Sequence, residues 1–167
     1  MGGPGNDGIN GGIGSDNTLG GSGDDYIQGD WGSDRVVGEE GKDFLFGSRG
    51  SDRMVGGGGG DWFTEGELDD AWKDVLSGGD ADDIFVVDNV PATKDLVSCG
   101  NGLDRVVADR KDVVASDCER VRVVHGTESE VLEQEQAFFE SIPQAVTEFF
   151  NTFFDRLAPD PTGGLEG

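Results

Sequence analysis

One nine-residue phrase repeats without a gap from Gly2 to Thr64, and it restricts the fold more tightly than any other feature of the chain. The lines read GGPGNDGIN, GGIGSDNTL, GGSGDDYIQ, GDWGSDRVV, GEEGKDFLF, GSRGSDRMV and GGGGGDWFT. Positions one and four are Gly in every line, and position six is Asp in every line: Asp7, Asp16, Asp25, Asp34, Asp43, Asp52 and Asp61. Position eight is large and apolar (Ile9, Ile27, Val36, Leu45, Met54, Phe63), with Thr18 the exception. The Gly-rich half must turn, because Gly reaches positive φ at no steric cost. The last three residues form a short strand, in which position eight points inward and positions seven and nine point outward. One phrase cannot bury its single apolar side chain, whereas stacked phrases can. The expected fold is therefore mainly β, a parallel β-solenoid of stacked nonapeptides.

Stacking brings the position-six carboxylates into line. Bare, such a row repels itself; a bound hard cation reverses the sign. Calcium accepts roughly six to eight oxygens from carboxylates and backbone carbonyls in flexible geometry, and Gly-rich turns expose carbonyls. Magnesium demands a stricter octahedron and keeps its waters. Zinc would want His or Cys, and the repeats contain neither.

Composition narrows the remaining functions. Only 34% of the 167 residues are hydrophobic and the net charge is −23, so a conventional globular core is not expected and the charge is read as metal-site charge. Without a basic patch to neutralise phosphates, nucleic acid is excluded as a partner. No apolar run of about 18 residues is present, so no membrane span is expected. The opening residues have neither a basic segment nor an apolar core, so no conventional export leader is expected there. No nucleophile elbow, HExxH or Walker loop occurs, and the single histidine, His125, is read as structural; no enzyme is expected.

Beyond Thr64 the frame loosens. Glu65–Leu68 reads as a four-residue insertion. The phrase resumes in DDAWKDVLS, with Asp74 and Leu76 at positions six and eight, and in GGDADDIFV, with Asp83 and Phe85, where Ala81 replaces the position-four Gly. Trp72 is read as a cover for the end of the apolar column. Val87–Lys94 contains Pro91 and breaks the pattern. KDLVS and CGNGLDRVV, with Asp104 and Val106, restore it faintly, and a Val-rich stretch follows. Cys99 and Cys118 lie 19 residues apart; the reading is a disulfide that ties this region down, worth about 3 kcal/mol, and the alternative is two buried thiols. The expected division is 2–86 as repeats, 87–125 as a degenerate β-rich cap with degraded metal sites, 126–158 as an amphipathic helical segment and 159–167 as a loose tail.

The helical segment has a partner surface in the repeats. Tyr26, Phe44 and Trp62 share position seven, with Phe46 beside them at position nine, and are expected to form an outward aromatic stripe. At about 100° per residue, Ile142, Ala145, Val146, Phe149, Phe150, Phe153, Phe154 and Leu157 fill one half of a helix circumference. The expectation is that this helix lies on the stripe. Two rival roles stay open: self-association into a homo-oligomer, and export.

The phrase, at Gly2–Thr64 and more loosely to Val107, resembles the RTX, or hemolysin-type calcium-binding, repeat family. The resemblance implies a parallel β-roll in which two phrases make one coil and calcium sits between successive turns on the same side. One edge would then hold Asp7, Asp25, Asp43 and Asp61, the other Asp16, Asp34 and Asp52, with Asp74 and Asp83 following, and about five or six calcium ions in all. It also implies a secreted, extracellular chain that folds on calcium and acts as a structural or interaction module. The alternative implied is the C-terminal folding or secretion segment of a larger exported toxin or hydrolase. A surface-binding solenoid such as an ice binder would need an outward Thr ladder, and none is present.

Overall fold

The computed structural model describes residues 1–65, 72–88 and 92–124. In chain order the strands are β1 (Gly3–Pro4), β2 (Gly8–Ile13), β3 (Asn17–Ser22), β4 (Tyr26–Trp31), β5 (Arg35–Glu40), β6 (Phe44–Arg49) and β7 (Arg53–Gly58). They continue as β8 (Trp62–Thr64), β9 (Val75–Asp80), β10 (Ile84–Val87), β11 (Leu96–Asn101), β12 (Arg105–Ala108), β13 (Val113–Val114) and β14 (Arg120–Val123). Odd-numbered strands form one seven-stranded sheet and even-numbered strands the other, and every pairing is parallel. The chain therefore winds as a parallel β-solenoid, one strand from each sheet per coil. Among the described residues there is no helix, and so none long and apolar enough to cross a membrane. The expected C-terminal helix, including Phe149 and Phe153, lies outside the described residues, as does His125.

Register follows the phrase. Asn17 pairs with Arg35 and Arg35 with Arg53; Tyr26 pairs with Phe44 and Phe44 with Trp62. Two phrases, 18 residues, thus make one coil. At the next coil Arg53 pairs with Val75 and Trp62 with Ile84, a spacing of 22. The four extra residues fall between Thr64 and Val75, where the sequence reading placed an insertion. The following coil spaces its partners by 21, as in Val75 with Leu96, three residues more than the regular 18.

Position eight forms the core. Ile27, Leu45, Phe63, Phe85 and Val106 from the even sheet meet Val36, Met54, Leu76 and Val97 from the odd sheet, all buried in one cluster. Phe63 and Phe85 stack with centroids 4.5 Å apart. Thr18 also points inward and is buried; its hydroxyl donates to the Arg35 carbonyl at 3.4 Å. The column is one side chain wide per strand, so each apolar contact matters more than in a thick core. Val87, Ala108 and Cys99 widen it toward the C-terminal coils. A disulfide joins Cys99 on β11 to Cys118 in the turn before β14. Trp72 does not close the column: it sits ahead of β9, outside the core cluster, and is 48% exposed. Position four of the phrase is a turn position, so its side chain leaves the roll before the strand begins.

Candidate metal centre

Each position-six carboxylate sits where the turn enters the strand, and each holds the coil before it. On one edge Asp25 Oδ1 accepts the Asp7 N–H at 2.8 Å, Asp43 Oδ1 the Asp25 N–H at 2.9 Å, Asp61 Oδ1 the Asp43 N–H at 2.9 Å, and Asp83 Oδ1 the Asp61 N–H at 2.8 Å. On the other edge Asp34, Asp52 and Asp74 accept the N–H of Asp16, Asp34 and Asp52 at 2.7, 2.8 and 2.7 Å. All nine aspartates singled out in the sequence therefore stand in one of two ladders. Both ladders run on: Asp95 and Asp112 extend one, Asp104 and Glu119 the other. These four fell outside the predicted set. For Asp104 the frame was found but its site was read as degraded; for Asp95, Asp112 and Glu119 the signal was an acid two residues before a Val, as in Asp112–Val114, with no fixed spacing to make it conspicuous.

On seven rungs the second carboxylate oxygen is left over. Oδ2 of Asp16, Asp25, Asp34, Asp43, Asp61, Asp83 and Asp104 is buried with no hydrogen-bond partner. Burying a polar atom without a partner costs about 1–3 kcal/mol, and more for a charge. Removal from water, opposed by the ladder hydrogen bond, pushes the Asp43 carboxyl up to about 6, Asp83 to about 7 and Asp61 to about 8. Neighbouring rungs add like charge, Asp83 and Asp43 acting on Asp61. Asp25, Asp34 and Asp104 rise for the same first reason, desolvation.

What those oxygens face explains the first glycine of the phrase. A methyl group placed on Gly29 would stand 2.8 Å from Asp34 Oδ2 and 2.8 Å from the Gly47 carbonyl oxygen of the next coil. On Gly2 it would meet Asp7 Oδ2 at 2.5 Å and the Gly20 carbonyl oxygen at 2.6 Å. The φ of these glycines is ordinary, so space, not conformation, demands Gly here. At Gly2, Gly11, Gly20, Gly29, Gly56 and Gly78 a carboxylate oxygen and a carbonyl oxygen border the same small volume, a cradle whose pair of donors suits a cation. Among the described residues no three His, Cys, Asp or Glu side chains converge on one point. The oxygens at these cradles are carboxylate and backbone carbonyl oxygens, donors that suit calcium better than zinc.

The turn itself takes left-handed backbone. Position two has positive φ in every phrase from Gly3 to Gly57, and Asp30, Glu39 and Ser48 adopt it without being glycine, at 79°, 85° and 72°. Ala81 does so at position four, at 84°, so its coil keeps the turn despite losing the Gly. Such values strain a side-chain-bearing residue by about 1 kcal/mol or more, tolerated here because the coils on either side impose the turn.

Two parallel sheets, a one-residue core column and an acidic ladder along each edge define a β-roll with acidic rims. The family model for the RTX calcium-binding nonapeptide repeat (4 copies) matches twice, over residues 1–27 and 28–63, and the chain carries calcium-binding RTX repeats in that stretch. Neither the curated proteins nor the solved structures compared with the chain give a match.

Proposed function

We propose that the chain binds several calcium ions between successive coils along both edges, and that binding drives its folding. Asp7, Asp25, Asp43, Asp61 and Asp83 serve one edge; Asp16, Asp34, Asp52 and Asp74 serve the other. The observation that carries this reading is the row of buried, unpartnered Oδ2 atoms facing carbonyl oxygens across the position-one glycines. Calcium supplies the positive charge that makes such a site favourable. The chain supplies the rest: Oδ1 positions each carboxylate through the ladder hydrogen bond, the glycine leaves the volume clear, and the turn presents the carbonyls.

Without the ion, the buried charges and the thin column do not offset the chain entropy. Binding free energy is then folding free energy. The Cys99–Cys118 bridge and the repeat type, typical of secreted bacterial proteins, support an extracellular setting, and there the roll acts as a structural or interaction module rather than an enzyme. Metal analysis combined with a calcium titration followed by circular dichroism tests the reading. Several calcium ions bound per chain and β-structure gained in parallel are expected. A chelator-treated sample with its full β signal and melting point would refute it.

A further inference from the structure

On the calcium reading above, we infer that the turn 115–119 positions a carbonyl of the last cradle on the edge of Asp25, Asp43, Asp61 and Asp83. Asp117 and the Cys99–Cys118 disulfide hold that carbonyl, so this one calcium site responds to thiol reductants. The cradle is that of Gly78. A methyl group placed there would meet Asp83 Oδ2 and the Cys99 carbonyl oxygen. Asp83 is buried, and its Oδ2 has no hydrogen-bond partner. At Gly2, Gly20 and Gly56 on the same edge, the carbonyl belongs to the position-one glycine of the next coil: Gly20, Gly38 and Gly78. Register sets Cys99 in that place opposite Gly78, since Ser77 pairs with Ser98 and Gly79 with Gly100. Cys99 carries a side chain where the earlier coils have none, so the open cradles of this edge end with Gly78.

What backs the carbonyl changes at the same point. β9 and β11 have six residues each, whereas β13, the next strand of the sheet, has two and stops at Val114. Among the described residues, 98–101 therefore have no strand beside them on that side. The turn stands in for it. Asp117 Oδ2 accepts the Ser98 hydroxyl at 3.0 Å and the Gly100 N–H at 3.2 Å, one bond on each side of Cys99. Cys118 is joined to Cys99 itself. Glu119 Oε2 accepts the Asp104 N–H at 3.0 Å, and Asp104 Oδ1 accepts the Asp83 N–H at 2.8 Å. One short turn thus backs both oxygens of the last cradle, the carbonyl through Cys99 and the carboxylate through Asp104. Upstream a whole coil does this work. Releasing the turn leaves residues 98–101 free to fray, and the Cys99 carbonyl leaves the cradle with them. A dithiol releases the covalent tie. Its thiolate attacks the sulfur of Cys118, which is half-buried, whereas Cys99 is fully buried. Cys99 departs as a thiolate and is protonated. The second thiol of the reagent then displaces Cys118, which also ends as a thiol, and the reagent becomes a cyclic disulfide.

The test follows the carbonyl carbon resonances of Cys99 and Gly20 by NMR through a calcium titration of the full chain. Coils contact only their neighbours, so the two resonances report the last site and an early one separately. In Asp117→Ala, and in the parent treated with a dithiol, the Cys99 midpoint should move severalfold to higher calcium while the Gly20 midpoint stays. Asp117→Asn keeps an oxygen for the Gly100 N–H and should restore most of the parent midpoint. Cys99 and Gly20 midpoints that shift together would overturn the inference, because the turn would then stabilise the roll as a whole. Parent-like Cys99 midpoints in both Asp117→Ala and the reduced protein would overturn it too. A parent in which neither resonance responds to calcium would overturn the calcium reading itself, an outcome distinct from the other two.

Discussion

Replacing Asp61 by Asn separates the two jobs of one carboxylate. Asn keeps an oxygen in the Oδ1 place to accept the Asp43 N–H, a bond of 2.9 Å. It removes the charge that burial penalises. The Asp61 carboxyl is raised from 3.8 to about 8 by desolvation first, with Asp83 and Asp43 adding repulsion. At about 1.36 kcal/mol per pH unit, that is a preference for the neutral form on the order of 5 kcal/mol. The sign follows from linkage: stability owed to the neutral form is fully present below about pH 4 and is lost as pH rises through about 8. At neutral pH the metal-free roll therefore loses a few kcal/mol by holding Asp61, and Asn relieves it. With calcium the order reverses, because a site filled to a hundred times its Kd contributes about 2.7 kcal/mol and the variant has lost a charged oxygen. The expected outcome is a crossing: in chelator at pH 7 Asp61→Asn shows more residual β signal or a higher melting point than the parent, and in saturating calcium a lower one. Thermal melts by circular dichroism in both conditions measure it. An equal loss in both would refute the argument, since it would mean that the carboxylate acts only as a hydrogen-bond acceptor.

Gly29→Ala puts a methyl 2.8 Å from both Asp34 Oδ2 and Gly47 O; calcium titration should show a weaker midpoint, with a stability cost of about 1–3 kcal/mol, and an unchanged midpoint would refute the cradle. Asp34→Ala strips the acceptor from the Asp16 N–H and sits in mid-ladder, whereas Asp7 begins its ladder. Asp34→Ala should therefore raise the calcium midpoint more than Asp7→Ala, and equal midpoints would count against ions shared between coils. Cys99→Ala with Cys118→Ala opens a loop of 19 residues and should cost about 3 kcal/mol. A melting temperature in calcium that matches the oxidised parent would contradict this.

The phrase in Gly2–Thr64 was enough to read stacked parallel coils with position eight inward, because that position is apolar in six of the seven lines; that two phrases make one coil came from the resemblance. Leu76, Phe85 and Val106 followed once the frame was re-set after each irregular stretch. Asp95, Asp112 and Glu119 were harder: their coils are spaced by 21, 17 and 15 residues, so a fixed period no longer found them, although each still stands two residues before a Val. The strained turns at Asp30, Glu39 and Ser48 were invisible for another reason. Local preference argues against positive φ at each, and only the coils above and below impose it. Trp72 misled because a large aromatic at the margin of a repeat reads as a plug, whereas its position in the phrase is a turn.

The carboxylate ladder has a sense. Every rung donates its N–H toward the C-terminus and accepts from the N-terminal side. A cut through the array therefore leaves two unlike faces. The C-terminal piece begins with a carboxylate oxygen that lacks its donor, which water replaces readily. The N-terminal piece ends with an amide that has lost a charged acceptor, the costlier loss. Repeats can thus be shed from the front of such an array at less expense than from the back, and a recombination event that lengthens or shortens it is better tolerated at one end than at the other.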